Sequence, residues 1–96
     1  MNENLRKDID QLMAIQYWKF DGLPDQITTG LTTLLATYSA DAIVNEMKSA
    51  IPDYEDDEKN ARKCAGNSGI AGEMHMAAGM RHKYLMESLE YLAKYL

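Results

Sequence analysis

One cysteine, Cys64, stands among the 96 residues, so no disulfide can close within a chain, and the stapled frameworks of small secreted domains are excluded. No apolar run exceeds a few residues, far short of the roughly 20 that a membrane-spanning helix needs. The polar opening MNENLRKDID lacks the basic-then-apolar order of a secretory leader. These absences lead to the expectation of a protein of the reducing cytoplasm with no membrane segment. Proline occurs only at positions 24 and 52, where it punctuates the chain and leaves long stretches free to wind into helix.

Basic residues are scarce where acids are dense. Residues 1–58 hold four Lys/Arg against twelve Asp/Glu, whereas residues 59–96 hold six against three, for a net charge of −5. Either the two parts neutralise one another on folding, or an acidic surface addresses a basic partner. Direct nucleic-acid binding is disfavoured, because affinity for phosphate backbones comes from clustered Lys and Arg.

What is present is globular composition: 46% apolar and 26% charged residues, outside the low-hydrophobicity signature of disorder. The length suits one domain, residues 1–96, with a single core. Apolar spacings of three and four predict helices throughout. The first, about 3–20, aligns Leu5, Ile9, Leu12, Met13, Tyr17 and Phe20, and is expected to stop at Gly22 and Pro24. A second, about 25–37, carries Ile27, Leu31, Leu34 and Leu35 opposite a run of threonines, with Asp25 as its expected cap. Threonine and Gly30 are weak helix formers, so tertiary packing must hold this segment. A third runs from Ser39 or Asp41 to about residue 50, ending before Pro52. A fourth, about 53–65, starts at Asp53 with four acids near its positive end.

The last and longest segment begins near Gly69 or Ile70. It carries two apolar stripes, Met74, Ala78, Leu85, Leu89, Leu92 and Leu96 on one side and Met76, Met80, Tyr84, Tyr91 and Tyr95 on another. Two stripes call for more than one neighbour, and a second copy of the chain is the expected supplier. Met80, Tyr84, Leu85, Leu89, Tyr91, Leu92 and Tyr95 are accordingly the candidate oligomer interface. The expected architecture is all-α, a compact bundle of four to five helices with a long C-terminal helix, assembled as an oligomer.

Few residues assemble into a chemical motif. Gly66, Gly69 and Gly72 precede a long helix, where exposed backbone N–H groups could meet an anion, yet neither GxxxxGK[ST] nor GxGxxG is matched. His75 and His82 lie two turns apart, about 10.5 Å along a helix, too far to share one ion held at about 2 Å from each nitrogen. Glu55 with Glu58, and Glu87 with Glu90, resemble the paired ExxE ligands of all-helical nucleotide pyrophosphohydrolases in spacing alone, and Lys83 and Lys94 beside the second pair point to a solvated edge. Cys64 has no evident base with which to act as a nucleophile. No catalytic residue, cofactor or metal is therefore assigned.

The expected function is non-enzymatic: a small acidic helical protein that regulates or inhibits a larger protein, itself nucleic-acid-binding in one version of this reading. In size and acidity it is similar to the antirestriction and anti-CRISPR proteins of mobile elements and phages. The expected partner-binding residues are Trp18, off the main stripe of its helix, and the run Tyr54, Glu55, Asp56, Asp57 and Glu58. The alternative is a helical binding module or sponge for a small phosphorylated or nucleotide ligand, using the Gly66–Gly72 loop with Lys63, Asn67, Ser68, Arg81 and Lys83.

Overall fold

The computed structural model describes residues 3–14, 22–64 and 69–96, with backbone only for residues 62, 64 and 69–76. Among the described residues the chain forms four α-helices and no strand.

Helix α1, Glu3–Met13, buries Leu5, Ile9 and Met13, which recur every four residues and so fall on one face. Its predicted extension through Tyr17 and Phe20 lies outside the described residues. Gly22 adopts φ of 81°, a left-handed turn that glycine accepts without steric cost. Helix α2, Asp25–Thr37, then begins differently from expectation. Its cap is Pro24, extended at ψ 152° and without a side-chain cap bond, whose carbonyl accepts the N–H groups of Ile27 and Thr28 at 3.0 and 3.2 Å. Asp25 is the first helical residue instead, where its charge still faces the positive end of the dipole.

The threonines of α2 turn their hydroxyls back on the helix. Thr28, Thr32 and Thr33 donate to the carbonyls of Asp25, Thr28 and Thr29 at 3.0–3.1 Å, so this polar face satisfies itself. Ile27, Leu31 and Leu34 bury the opposite side, supplying the tertiary anchorage that the weak helix formers require.

Helix α3, Ala40–Cys64, is one continuous element with Pro52 inside it. This corrects the expectation of two helices split at Pro52. Proline denies the Lys48 carbonyl its N–H partner, but both residues are exposed, and apolar residues on either side of the break, Met47, Ala50 and Tyr54, are buried along one face. Burial across the break holds the helix together. Its start is as expected at Ser39, whose Oγ accepts the Ala42 N–H at 3.1 Å.

Helix α4, Gly69–Leu92, continues into a 3₁₀ turn, Ala93–Tyr95. The long pair α3 and α4 sets the shape. A helix of 25 residues spans about 37 Å, close to the 43 Å long axis, and the radius of gyration of 13.7 Å exceeds the roughly 12.5 Å of a spherical chain of this length.

The core joins Leu5, Ile9 and Met13 of α1 and Ile27 and Leu31 of α2 with Ile43 and Met47 of α3 and Tyr84, Leu85 and Leu92 of α4. Ser88 lies fully buried in it, with Oγ 3.9 Å from Met13 Sδ. Helix α4 packs on α1, α2 and α3 of its own chain. Within the chain these neighbours bury Met80, Tyr84, Leu85 and Leu92, whereas Tyr95 and Leu96 stay exposed.

Candidate functional site

Arg6, Asp10 and Asp53 meet where α1 packs on α3. Arg6 and Asp10 are one helical turn apart, and Arg6 Nε donates to both carboxylate oxygens of Asp10 at 3.0 and 3.1 Å. Arg6 Nη2 donates across to Asp53 Oδ2 of α3 at 3.1 Å. The Tyr54 hydroxyl, on a side chain only 6% exposed, donates to Asp10 Oδ1 at 2.7 Å. The Arg6 guanidinium carbon stands 5.9 Å from the Tyr54 ring centroid, within cation–π range. Burial opposes the charge of Arg6, but hydrogen bonds to Asp10 and Asp53 outweigh it and hold its proton above the ordinary value. Burial, followed by the bond to Asp10, pushes the Tyr54 phenol well above its usual range.

This network forms one wall of a cavity of about 220 Å³ lined by Arg6, Asp10, Ala14, Tyr54, Asp57 and Arg81. Along the outer face of α1 lies a shallow groove of about 420 Å³ that shares Arg6, Asp10 and Ala14 and adds Glu3, Lys7 and Gln11. Among the described residues, neither Asp57 nor Arg81 forms an ion pair.

Further along α3, Glu58 Oε1 lies 2.8 Å from His82 Nδ1 and ties α3 to α4. The fit is close, since a Cβ at Gly79 would stand 3.3 Å from Glu58 Oε2. Glu46 of α3 is 8% exposed, and its Oε1 has no hydrogen-bond partner among the described residues. No group of three or more metal-ligating side chains occurs among the described residues.

No protein-family model, curated protein or solved structure matches this chain. Function is therefore argued from the site alone.

The acidic run from 53 to 58 divides into distinct parts. Tyr54 is interior, Asp53 is held by Arg6 and Glu58 is held by His82. Glu55, Asp56 and Asp57 are exposed and, among the described residues, form no ion pair. Tyr54, expected to face a partner, is buried in the core with its hydroxyl engaged by Asp10. Trp18 lies outside the described residues.

Of the candidate oligomer interface, Met80, Tyr84, Leu85 and Leu92 are buried by their own chain, so little or no side-chain surface remains for another copy. Leu89 and Tyr91 are half-buried, and Tyr95 is exposed with Lys94 Nζ 5.3 Å from its ring centroid and 4.1 Å from that of Tyr91.

The residues proposed for a phosphorylated ligand are described only in part. Gly66, Asn67 and Ser68 lie outside the described residues, and Lys63 is exposed at the end of α3. Arg81 lines the cavity, whereas Lys83 pairs with Glu87 at 3.3 Å. Two positions apart on one helix, Arg81 and Lys83 project about 200° from each other. Sequence reasoning missed Arg6, Asp10 and Glu46. Only the first two left a signal, an opposite-charge pair at the i, i+4 spacing.

Proposed function

We propose that this chain is a non-enzymatic interaction protein that docks a basic surface of a larger protein onto the exposed acids of α3, acting as its regulator or inhibitor. The observation that carries this reading is the state of Glu55, Asp56 and Asp57. They stand in the interior of a continuous helix, exposed and without ion pairs among the described residues. A helix pre-orders the backbone that carries the three carboxylates, so binding need order only their side chains.

Support also comes from the way charge is distributed after folding. Glu58 with His82 joins the acidic first part to the basic second part, and this pair is ionic only when the imidazole is protonated, while Glu55, Asp56 and Asp57 form no ion pair among the described residues. The acidic field remains available to steer a positively charged partner, which raises association rates more than it adds affinity.

The test is retention of partners from host extract by the wild-type chain and by the Glu55→Lys, Asp56→Lys double variant. Both positions are exposed, so the fold is expected to survive, with circular dichroism as the check. A partner of basic isoelectric point, released by about 0.5 M salt and lost from the double variant, is the expected result. A partner held equally by both chains, or one unaffected by salt, would overturn the assignment.

A further inference from the structure

We infer that the cavity between α1, α3 and α4 receives a small zwitterion, an α-amino acid or a molecule carrying the same two charges. This goes beyond the docking of a protein on α3, since it concerns a ligand of the free chain.

The charges lining the cavity differ in how far they are engaged with one another. Arg6 is clamped by Asp10 and Asp53, and Asp10 also accepts the Tyr54 hydroxyl. These bonds hold Arg6, Asp10 and Tyr54 against one another as a fixed wall. Asp57 and Arg81 remain, one negative and one positive, both on the cavity and neither in an ion pair among the described residues. A dianion such as phosphate would meet Arg81 but be opposed by Asp57 and by the acids around Arg6. A simple cation would satisfy Asp57 and be repelled by Arg81, and an apolar molecule would desolvate both without compensation. A ligand with a carboxylate for Arg81 and an ammonium for Asp57 satisfies both at once.

Size and preorganisation agree with this choice. The volume of about 220 Å³ falls below the roughly 300 Å³ at which sites for drug-sized molecules begin. Ala14 and Tyr54 supply the less polar part of its lining. The groove shared through Arg6, Asp10 and Ala14 offers a longer ligand side chain a path along α1. Because the cavity is built on three packed helices, little reorganisation is needed on binding.

The experiment is titration of the full-length chain, followed by calorimetry and by amide chemical shifts, with the free α-amino acids. Inorganic phosphate, propionate and propylamine are the comparison probes. We expect at least one amino acid to bind saturably with shifts at Ala14, Asp57 and Arg81. Binding should weaken about tenfold or more on Arg81→Gln and on Asp57→Asn, since each removes a charge-assisted bond. Propionate and propylamine should each bind at least about tenfold more weakly than the amino acid for the same reason. The variant Ala14→Leu, which adds bulk at the cavity wall and removes no charge, should weaken binding about tenfold or more while the helical spectrum is kept. Absence of saturable binding by every amino acid up to about 10 mM, a range that covers millimolar affinities, would overturn the proposal. So would tighter binding of phosphate, or unchanged affinity in Ala14→Leu.

Discussion

The hydroxyl of Tyr54 donates to Asp10 Oδ1 at 2.7 Å across 44 residues of sequence, and this bond gives the fold a pH dependence at the alkaline end. The folded chain holds the phenolic proton well above its ordinary value, first because burial disfavours the phenolate and then because the bond to Asp10 needs the proton. The unfolded chain releases that proton near pH 10, so the stabilisation is complete below that pH. Above it, stability should fall by up to about 1.4 kcal/mol per pH unit until the raised folded value is reached. Urea melts between pH 9 and 11 should show this slope in the wild type and not in Tyr54→Phe. At pH 8 the same variant should cost about 1–2 kcal/mol, the loss of a hydrogen bond to a charged acceptor. Equal alkaline slopes in the two chains would show that Tyr54 is not the responsible group.

Pro52 is exposed inside α3 and leaves the Lys48 carbonyl without its helical N–H partner. Replacing it should restore that bond and relieve the clash with the preceding turn, at no cost in packing. Pro52→Ala is expected to raise stability by at least about 1 kcal/mol, a fraction of the roughly 3 kcal/mol that separates proline from alanine in a helix interior. The melting temperature should rise by about 4–8 °C per kcal/mol for a chain of this size. If thermal scans show no rise, two separate helices meet at Pro52.

Pro52 also shows how far the sequence could be read. The stripes of α1, α2 and α4 were legible because each helix buries a face whose period appears in the letters, as with Leu5, Ile9 and Met13. Whether α3 continues through a proline depends on burial of Met47, Ala50 and Tyr54 against other helices, which local propensity does not encode. The second stripe of α4 was legible as apolar, but its neighbour was not, because period reports how much surface must be covered and not by which chain. At the site, the i, i+4 spacing of Arg6 and Asp10 was visible. Their convergence with Asp53, Tyr54 and Arg81 depends on how three helices are docked, and no local pattern carries that information.

Glu46 is buried with Oε1 lacking a partner among the described residues. A buried polar atom left unpaired costs about 1–3 kcal/mol, and an apolar side chain of similar volume carries no such penalty. Glu46→Met is therefore expected to stabilise the chain by about 1 kcal/mol or more, read as a shift in the urea midpoint at unchanged slope. A loss of stability would mean that the carboxylate has a favourable role that its surroundings do not reveal.

A Cβ at Gly30 of α2 would run into Cδ1 of Leu12 on α1, with Cδ2 at 3.0 Å and Cγ at 3.3 Å. The whole end of the leucine would have to move, which opposes the roughly 1 kcal/mol that alanine gains over glycine in a helix. A double-mutant cycle separates the two effects. Gly30→Ala should be neutral or destabilising in the wild type but stabilising by up to about 1 kcal/mol in the Leu12→Ala background. The same sign in both backgrounds would exclude steric coupling between α1 and α2 at this point.

Tyr84 is fully buried and Tyr95 is 48% exposed, although both belong to the same stripe of the C-terminal segment. If the chain itself covers that stripe, Tyr84→Ala should cost about 3–5 kcal/mol, the range for truncating a large buried aromatic. Tyr95→Ser should stay within about 0.5 kcal/mol, as surface substitutions do. Because the covering helices belong to the same chain, both values should be independent of protein concentration. A stripe covered by a second copy would instead give melting temperatures that rise with concentration by mass action. Melts over a hundredfold dilution series decide between these outcomes, and a concentration-dependent midpoint lost in Tyr95→Ser would return the stripe to an interface between copies.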